Sequence, residues 1–437
     1  MKSAQFSVKN IFTLLLCILV FSNAKSQLPD KVLVGYWENW SSLRIKDADP
    51  RYNVIMLAFL EADRNLNQDD NVVGDLEFTP NRMHRDTVKV DIAAAQLKGK
   101  KVLVSLGGAN GSFKLNDVTD KNTFVSEVKD FIIAYGVDGI DIDIERTVYA
   151  CMSSGTLDSP ETHAQLLIDG IKELLTWYQI TYGRKMLLTT APETLYIQGG
   201  LSQWATCGGS FLPFLHQLKD DLDLVMVQLY NSGAMFDLDK VSRSQGNQTF
   251  IVSMTEAVIR GFNTSQGFGQ YFGISANKVA VALPACGGGG YVSSDDMVAA
   301  VKYLMGTGPK VGNYTLKKAS GYGDLRGMMT WSINSDASSN CGSYSFADAT
   351  ERIVGPIGVK NVRLNASFSV HPNPAISKVK ITGLPSGTNI VRLIDNSGKL
   401  ILEKTVSIGS TTLNVSELSA GFYTISVGGQ SQKLVIN

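Results

Sequence analysis

Between Gly139 and Glu145 the chain reads Gly-Ile-Asp-Ile-Asp-Ile-Glu, isoleucine at 140, 142 and 144 alternating with acid at 141, 143 and 145. Successive side chains of a strand point to opposite faces, so this pattern puts three carboxylates on one side and three isoleucines on the other. Neighbouring acids are then about 6.6 Å apart, twice the rise of one strand residue. Like charges that close are costly where water is excluded, and they change one another's protonation. The acids must share protons, bind a cation or do acid–base work. A solvated acidic face is the plainest alternative, but the isoleucine face needs burial and nothing basic interleaves the acids. A calcium loop also spaces acids by two, yet it sets turn-forming Gly, Asn and Asp between them. A catalytic carboxylate cluster accounts for both faces, with Glu145 as the proton donor. No metal and no cofactor is expected.

The strand pattern recurs. Apolar runs at Val32–Trp40, Val54–Ala62, Lys101–Gly108, Gly139–Glu145, Met186–Glu193, Leu222–Asn231, Lys278–Ala285 and Gly327–Asn334 alternate with helical or mixed segments. The clearest helical patterns are Asp91–Leu97, Thr123–Tyr135, Ser159–Tyr182, Phe250–Tyr271 and Asp295–Met305; Ser41–Tyr52 is too polar and Pro-broken for one. Eight strand–helix repeats predict an α/β fold, a (β/α)8 TIM barrel. Barrel chemistry sits at the C-terminal ends of strands, and Glu145 ends the fourth run.

The predicted domain boundaries are a signal peptide at 1–26, a catalytic domain at 27–354, a linker at 355–366 and a small all-β sandwich at 367–437. The signal rests on Lys2 and Lys9, the mainly apolar Ile11–Phe21 and the small residues Ser22-Asn23-Ala24. The tail is rich in Ser, Thr, Val and Ile, with turns at Pro372-Asn373-Pro374, Pro385-Ser386-Gly387, Asn396-Ser397-Gly398, Ala420-Gly421 and Gly428-Gly429. Formal net charge is zero and 18% of residues are charged, which gives no support to nucleic-acid or anionic-membrane binding. Three more basic than acidic residues in the tail leave the rest mildly acidic.

Cys17 lies in the signal, leaving Cys151, Cys207, Cys286 and Cys341. An exported chain with four cysteines is expected to form two disulfides, with free buried thiols as the alternative. On a barrel rim only Cys151–Cys207 with Cys286–Cys341 joins adjacent loops.

Asp138-Gly139-Ile140-Asp141-Ile142-Asp143-Ile144-Glu145 resembles the DGxDxDxE signature of family 18 glycoside hydrolases, the chitinases and their relatives. Val34-Gly35-Tyr36-Trp37, Ser105-Leu106-Gly107-Gly108, Met226-Val227-Gln228-Leu229-Tyr230-Asn231 and Met329-Thr330-Trp331-Ser332 resemble its first, third, sixth and eighth strands, in order. The resemblance spans about residues 30–354. It implies a retaining hydrolysis in which the substrate's own N-acetyl oxygen is the nucleophile, an exception to the two-carboxylate rule. Glu145 would be the acid and base, Asp143 would orient the acetamido N–H, and Asp141 would share a proton with Asp143, with help from Ser105. Tyr230 would donate to the acetamido oxygen and Trp331 would floor the sugar. Further substrate contacts are implied at Gln228, Asn231, Phe59, Gly108 and Tyr36, with Trp37, Trp40 and Trp204 as additional platforms or, for Trp37, core. Asp138 would shape the turn into the strand. Many relatives have Asp where Asn231 stands, and a second tryptophan where this chain has Ser335. Cis peptides are expected at Ala58–Phe59 and Trp331–Ser332.

About forty residues separate the seventh and eighth runs, too few for the insertion that walls the cleft of many exo-acting relatives, so an open groove and internal cleavage are expected. The tail resembles the C-terminal sorting domain of type IX-secreted bacterial proteins, in His371-Pro372-Asn373-Pro374, Leu393–Lys399 and Leu418–Tyr423. That implies passage through the periplasm, outer-membrane secretion machinery as a partner, and a secreted or surface-attached monomer. A carbohydrate-binding sandwich is the alternative, though the tail has one tyrosine and no tryptophan. Chitin or chitooligosaccharides are the expected substrate; an endo-β-N-acetylglucosaminidase acting on N-glycans or a non-catalytic chitin-binding lectin are the competing readings.

Overall fold

A computed structural model describes residues 28–62, 76–111, 113–145, 155–202, 207–357, 368–384, 389–395, 400–406, 409–427 and 430–436. The predicted signal, Cys151, Trp204, most of the predicted linker and the predicted turns at 385–387, 396–398 and 428–429 lie outside these residues. The chain divides into two units, Met1–Gly358 and Val359–Asn437.

In the first unit eight strands run parallel: β1 Val32–Glu38, β2 Val54–Leu60, β3 Lys101–Gly107, β4 Gly139–Asp143, β5 Leu187–Thr190, β6 Leu224–Val225, β7 Ala280–Pro284 and β8 Gly327–Trp331. Their order is 7-8-1-2-3-4-5-6. Parallel bridges Val225↔Val279 and Gln228↔Ala282 join the two ends and close the barrel. Each strand is shorter than its apolar run, because the runs continue into rim loops. Two differences matter. β4 stops at Asp143, so Glu145 stands two residues past the strand and not at its end. β6 is two residues long, yet Gln228 still bridges Glu193 on one side and Ala282 on the other.

Alternation sorts the side chains into two cores. Val32, Val34 and Tyr36 of β1, Val54, Met56 and Ala58 of β2, Leu103, Leu187, Leu224 and Met329 fill the barrel. Ile140, Ile142 and Ile144 belong instead to the outer core between strands and helices, with Val102, Val104 and Leu106. The acids of β4 therefore face the barrel interior. Burying the three isoleucines contributes roughly 2 kcal/mol each, which holds the acid row inward against its desolvation cost.

The covering helices are α1 Arg85–Leu97, α2 Val118–Tyr135, α3 Thr162–Tyr182, α4 Leu212–Gln217, α5 Gln248–Arg260, α6 Ser294–Met305 and α7 Ser345–Val354. Asp117 caps α2 by accepting from the Thr119 and Asp120 amides, which starts the helix before the apolar period does. The pattern Phe250–Tyr271 overruns the real helix. α5 stops at Gly261, whose φ is 75° and where a Cβ would fall 2.1 Å from the Tyr271 carbonyl oxygen; Phe262–Asn263 then pairs with Gln270–Tyr271 as a hairpin. Between Pro284 and Gly327 there is one regular helix, α6, and no strand. Among the described residues no helix is long and apolar enough to cross a membrane.

The second unit is all β. Ser369–His371 (β9), Lys378–Thr382 (β10) and Ser410–Asn414 (β13) form one antiparallel sheet in the order 9-10-13. Asn389–Asp395 (β11), Leu400–Val406 (β12), Gly421–Val427 (β14) and Gln430–Ile436 (β15) form another in the order 12-11-14-15. Val379, Ile381 and Leu413 of the first pack in one core with Val391, Leu393, Ile425 and Leu434 of the second.

Candidate active site

Asp141 is in register with Ser105 of β3 and Thr189 of β5, so their inward hydroxyls fall beside its carboxylate. Ser105 Oγ and Thr189 Oγ1 donate to it at 2.7 and 2.6 Å. The Tyr36 hydroxyl donates to Asp141 Oδ2 at 2.6 Å from β1, across the barrel. Burial raises the Asp141 pKa above the usual carboxylate range against the pull of these three donors. Among the described residues, Gln228 is the one that favours the charged form of Asp143. Burial, then the charges of Glu145 and Asp141, push it well above the usual range. Glu145 is raised too, by burial. All three acids are thus raised, but only Asp141 has three hydroxyl donors that favour its charged form.

Gln228 ties the upper two acids together. Its Nε2 donates to Asp143 Oδ1 at 2.8 Å, Glu145 Oε1 at 3.0 Å and the Ala191 carbonyl oxygen at 3.0 Å. An amide has two hydrogens, so at least one is shared between acceptors, and Gln228 stays engaged when either carboxyl turns away. Tyr230 is buried beside the same acids. Burial and the carboxylates of Asp143, Glu145 and Asp141 hold its hydroxyl far above its ordinary pKa, as a neutral donor.

Trp331 lies over the barrel mouth, half-buried, with its ring stacked on Phe59 at 5.5 Å and 8°. Tyr36 and Trp40 lie tilted to it at 5.6 and 6.1 Å. Both expected cis peptides, Ala58–Phe59 and Trp331–Ser332, are present. Gly108 is matched to this stack: its φ is 73°, and a Cβ there would fall 2.7 Å from the Phe59 ring. Trp40 is 38% exposed and can offer a face to a ligand. Trp37 cannot. It is fully buried, with its indole N–H donated to the Leu43 carbonyl at 2.7 Å, and it packs in the outer core.

Tyr36 and Phe59 back the site: one holds Asp141, the other supports Trp331. Asn231 sits exposed at the rim with φ of 52° and gives its amide hydrogen to the Gly289 carbonyl at 2.8 Å. Asp138 accepts from the Val102 amide, Gln96 and Arg184 at the opposite end of the strand, so it shapes the turn. Ser335 hydrogen-bonds Ser332. Cys286 and Cys341 form a disulfide between the loops after β7 and β8. Cys207 is also disulfide-bonded; the Cys151–Cys207 pairing lies outside the described residues.

Two site residues were not anticipated. Glu193 follows β5 at the same end of the barrel as Glu145, and burial, then the Glu145 charge, raise its pKa to about 7. Tyr196 is buried behind it and donates to the Glu145 carbonyl oxygen at 2.7 Å. The available signal was an acid closing the fifth run, as Glu145 closes the fourth.

The family model for glycosyl hydrolases family 18 matches residues 32–298. The chain belongs to that family. The model for a secretion system C-terminal sorting domain matches residues 369–437. Chitinase Chi52 of Paenibacillus xylanexedens is 37% identical over 321 residues, 71% of this chain and 59% of its own length. Chitinase ChiA of Flavobacterium johnsoniae is 33% identical over 389 residues, 82% of this chain and 24% of its own length. This chain thus spans well under two thirds of these relatives. Among solved structures, a family 18 chitinase from Chromobacterium violaceum superposes with a TM-score of 0.64 at 29% identity, covering 76% of this chain and 85% of that one.

Proposed function

We propose that this protein is a secreted, endo-acting chitinase that cleaves β-1,4 bonds between N-acetylglucosamine units with retention, using the substrate's acetamido group as nucleophile. The observation that carries the reading is the inward row Asp141, Asp143, Glu145, with Gln228 bonded to its upper two members. Glu145 protonates the glycosidic oxygen and later takes a proton from water. Its raised pKa keeps a transferable proton nearer neutral pH, where general acid catalysis is most efficient. Asp143 accepts the acetamido N–H and offsets the positive charge of the oxazolinium intermediate. Asp141, held by three hydroxyls, exchanges a proton with Asp143 as that charge grows. Tyr230 donates to the acetamido oxygen, and Trp331 supplies the apolar floor. Gln228 positions the two acids; Asn231 and Trp40 meet sugars further along the groove.

Endo action is supported by the segment between β7 and β8, which builds no wall of strands. Family membership and the presence of Glu145 favour hydrolysis over a lectin. The tail's match supports export through the periplasm and the outer-membrane secretion machinery, leaving the protein free or surface-attached. Product analysis on chitin oligomers beside a high-mannose glycopeptide tests the reading. Internal cleavage of the oligomers with the β-anomer formed first supports it. Release of the glycan alone would replace it with an endo-β-N-acetylglucosaminidase.

A further inference from the structure

Past Val225, where the β6 ladder ends, a short segment carries two of the side chains that surround the acids, those of Gln228 and Tyr230. It is bridged like a strand at Gln228, so residues two apart leave it on the same face. Directly after Tyr230 the chain turns at Asn231, with φ of 52°. The amides of Gln228, Leu229 and Asn231 donate to the carbonyls of Pro192, Ala282 and Gly289 at 2.9, 3.2 and 2.8 Å. The carbonyls of Gln228 and Tyr230 are met by hydroxyls. Thr194 Oγ1 donates to the Gln228 carbonyl oxygen, and Ser232 Oγ donates to that of Tyr230 at 2.7 Å. Ser232 Oγ also lies 3.0 Å from Thr194 Oγ1 and 3.3 Å from the Gln228 carbonyl oxygen.

A hydroxyl has one hydrogen. That of Thr194 goes to Gln228, so the Thr194 oxygen accepts from Ser232, whose hydrogen is divided between Thr194 and the Tyr230 carbonyl. One pair of hydroxyls, from two different loops, thus joins both carbonyls. Thr194 is fully buried, at the start of the short helix Thr194–Ile197, so solvent does not compete for its hydrogen. Ser232 is held in turn: its amide and that of Gly233 donate to Gln245 Oε1 at 2.6 and 3.1 Å. Buried carbonyls without a donor are costly, so the two hydroxyls decide where the backbone under Tyr230 comes to rest. We propose that Thr194 and Ser232 are positioning residues for Tyr230: they fix the segment from which its phenol reaches the acetamido oxygen, and they carry Gln228 on the same support.

The inference rests on Tyr230 as the acetamido donor, which Tyr230→Phe checks by itself. The test is kcat, KM and melting temperature, with an N-acetylglucosamine tetramer as substrate. The variants are Thr194→Val, Thr194→Ser, Ser232→Ala and Tyr230→Phe, with Thr194→Val and Ser232→Ala repeated in the Tyr230→Phe background. Tyr230→Phe is expected to lower kcat about a hundredfold, the effect of removing one donor aimed at developing charge. Thr194→Val keeps the shape and loses the hydrogen; kcat should fall about thirtyfold, and about tenfold for Ser232→Ala, with KM within about threefold. Thr194→Ser keeps the hydroxyl and should return kcat to within about threefold of the wild type. In the Tyr230→Phe background the same two changes should cost no more than about threefold, because the phenol they position is gone. Should Thr194→Val fail to fold, Ser232→Ala, at a half-buried site, carries the comparison in both backgrounds. Losses that multiply undiminished in the Tyr230→Phe background would show a merely structural role and overturn the inference, as would Thr194→Ser no better than Thr194→Val. Wild-type kcat in Ser232→Ala and Thr194→Val beside a crippled Tyr230→Phe would overturn it alone. Near-normal turnover in Tyr230→Phe would overturn the donor assignment and the inference with it.

Discussion

The two units bury different things. In the core of the tail Val379, Ile381, Leu393, Ile425 and Leu434 meet between two sheets, with no buried carboxyl among the described residues. The barrel buries Ser105, Asp141, Asp143, Thr189 and Gln228 in its centre. Burying carboxyls that are raised above their ordinary pKa lowers stability near neutral pH, so a fold bears them only where the apolar remainder is large. The barrel has that remainder in the outer core, where Ile140, Ile142 and Ile144 sit behind the acids. The tail, a few dozen residues with one thin core, has none to spare and among its described residues carries no such row. A chemical site and a targeting module therefore separate into two units.

The largest way to break this contrast is Glu145→Gln. Turnover should fall about 10²–10⁴-fold, while circular dichroism and binding of an unhydrolysed oligosaccharide stay near the wild type. Near-normal turnover would show that the row is not the acid/base. Next comes the rim. Cys286→Ser with Cys341→Ser opens a covalent loop with a sequence separation of 55, for which the chain-entropy estimate is about 4 kcal/mol before strain. Calorimetry should show the barrel transition falling and the tail transition, where resolved, unmoved. A shift of the tail transition alone would place the bridge in the wrong unit.

Leu393→Ala reverses the experiment. It removes a fully buried side chain from the tail core and should cost about 3 kcal/mol of tail stability. Activity of the barrel on chitin oligomers should be unchanged, whereas secretion from a cell is expected to drop. The smallest effect is a gain. Asp143→Asn abolishes the acid's role yet should raise barrel stability at neutral pH. The sign follows from linkage: a carboxyl whose folded pKa is raised binds more protons folded than unfolded, so stability falls as pH rises through that window. Urea melts of the two proteins should converge as pH is lowered below the ordinary carboxylate range. A variant less stable at neutral pH would mean that Asp143 is a structural anchor.

Much of this was readable from local order. Period-two alternation names a strand wherever it occurs, and eight such runs between helical segments leave few topologies besides a barrel. The isoleucines of β4 announce which face is buried in the outer core, and the acids must take the other. Local order failed where distant groups decide the outcome. The apolar period of α5 continues to Tyr271, but Gly261 packs against the Tyr271 carbonyl and ends the helix. Trp37 is the residue type of a sugar platform, but it is buried in the outer core with its indole N–H given to the Leu43 carbonyl.

The identities of the three acids, their common face and their place beside the barrel axis follow from a run of seven residues, because strand geometry is local. What surrounds each acid does not follow. Asp141 and Asp143 are the same residue type on the same face of one strand, and they differ only in what the rest of the barrel brings to them. Three hydroxyls from β1, β3 and β5 converge on Asp141, while Asp143 receives one amide and the charges of Glu145, Asp141 and Glu193. The hydrogen-bonding partners lie 36 to 105 residues away in the chain, so only the closed barrel could give the two acids different surroundings.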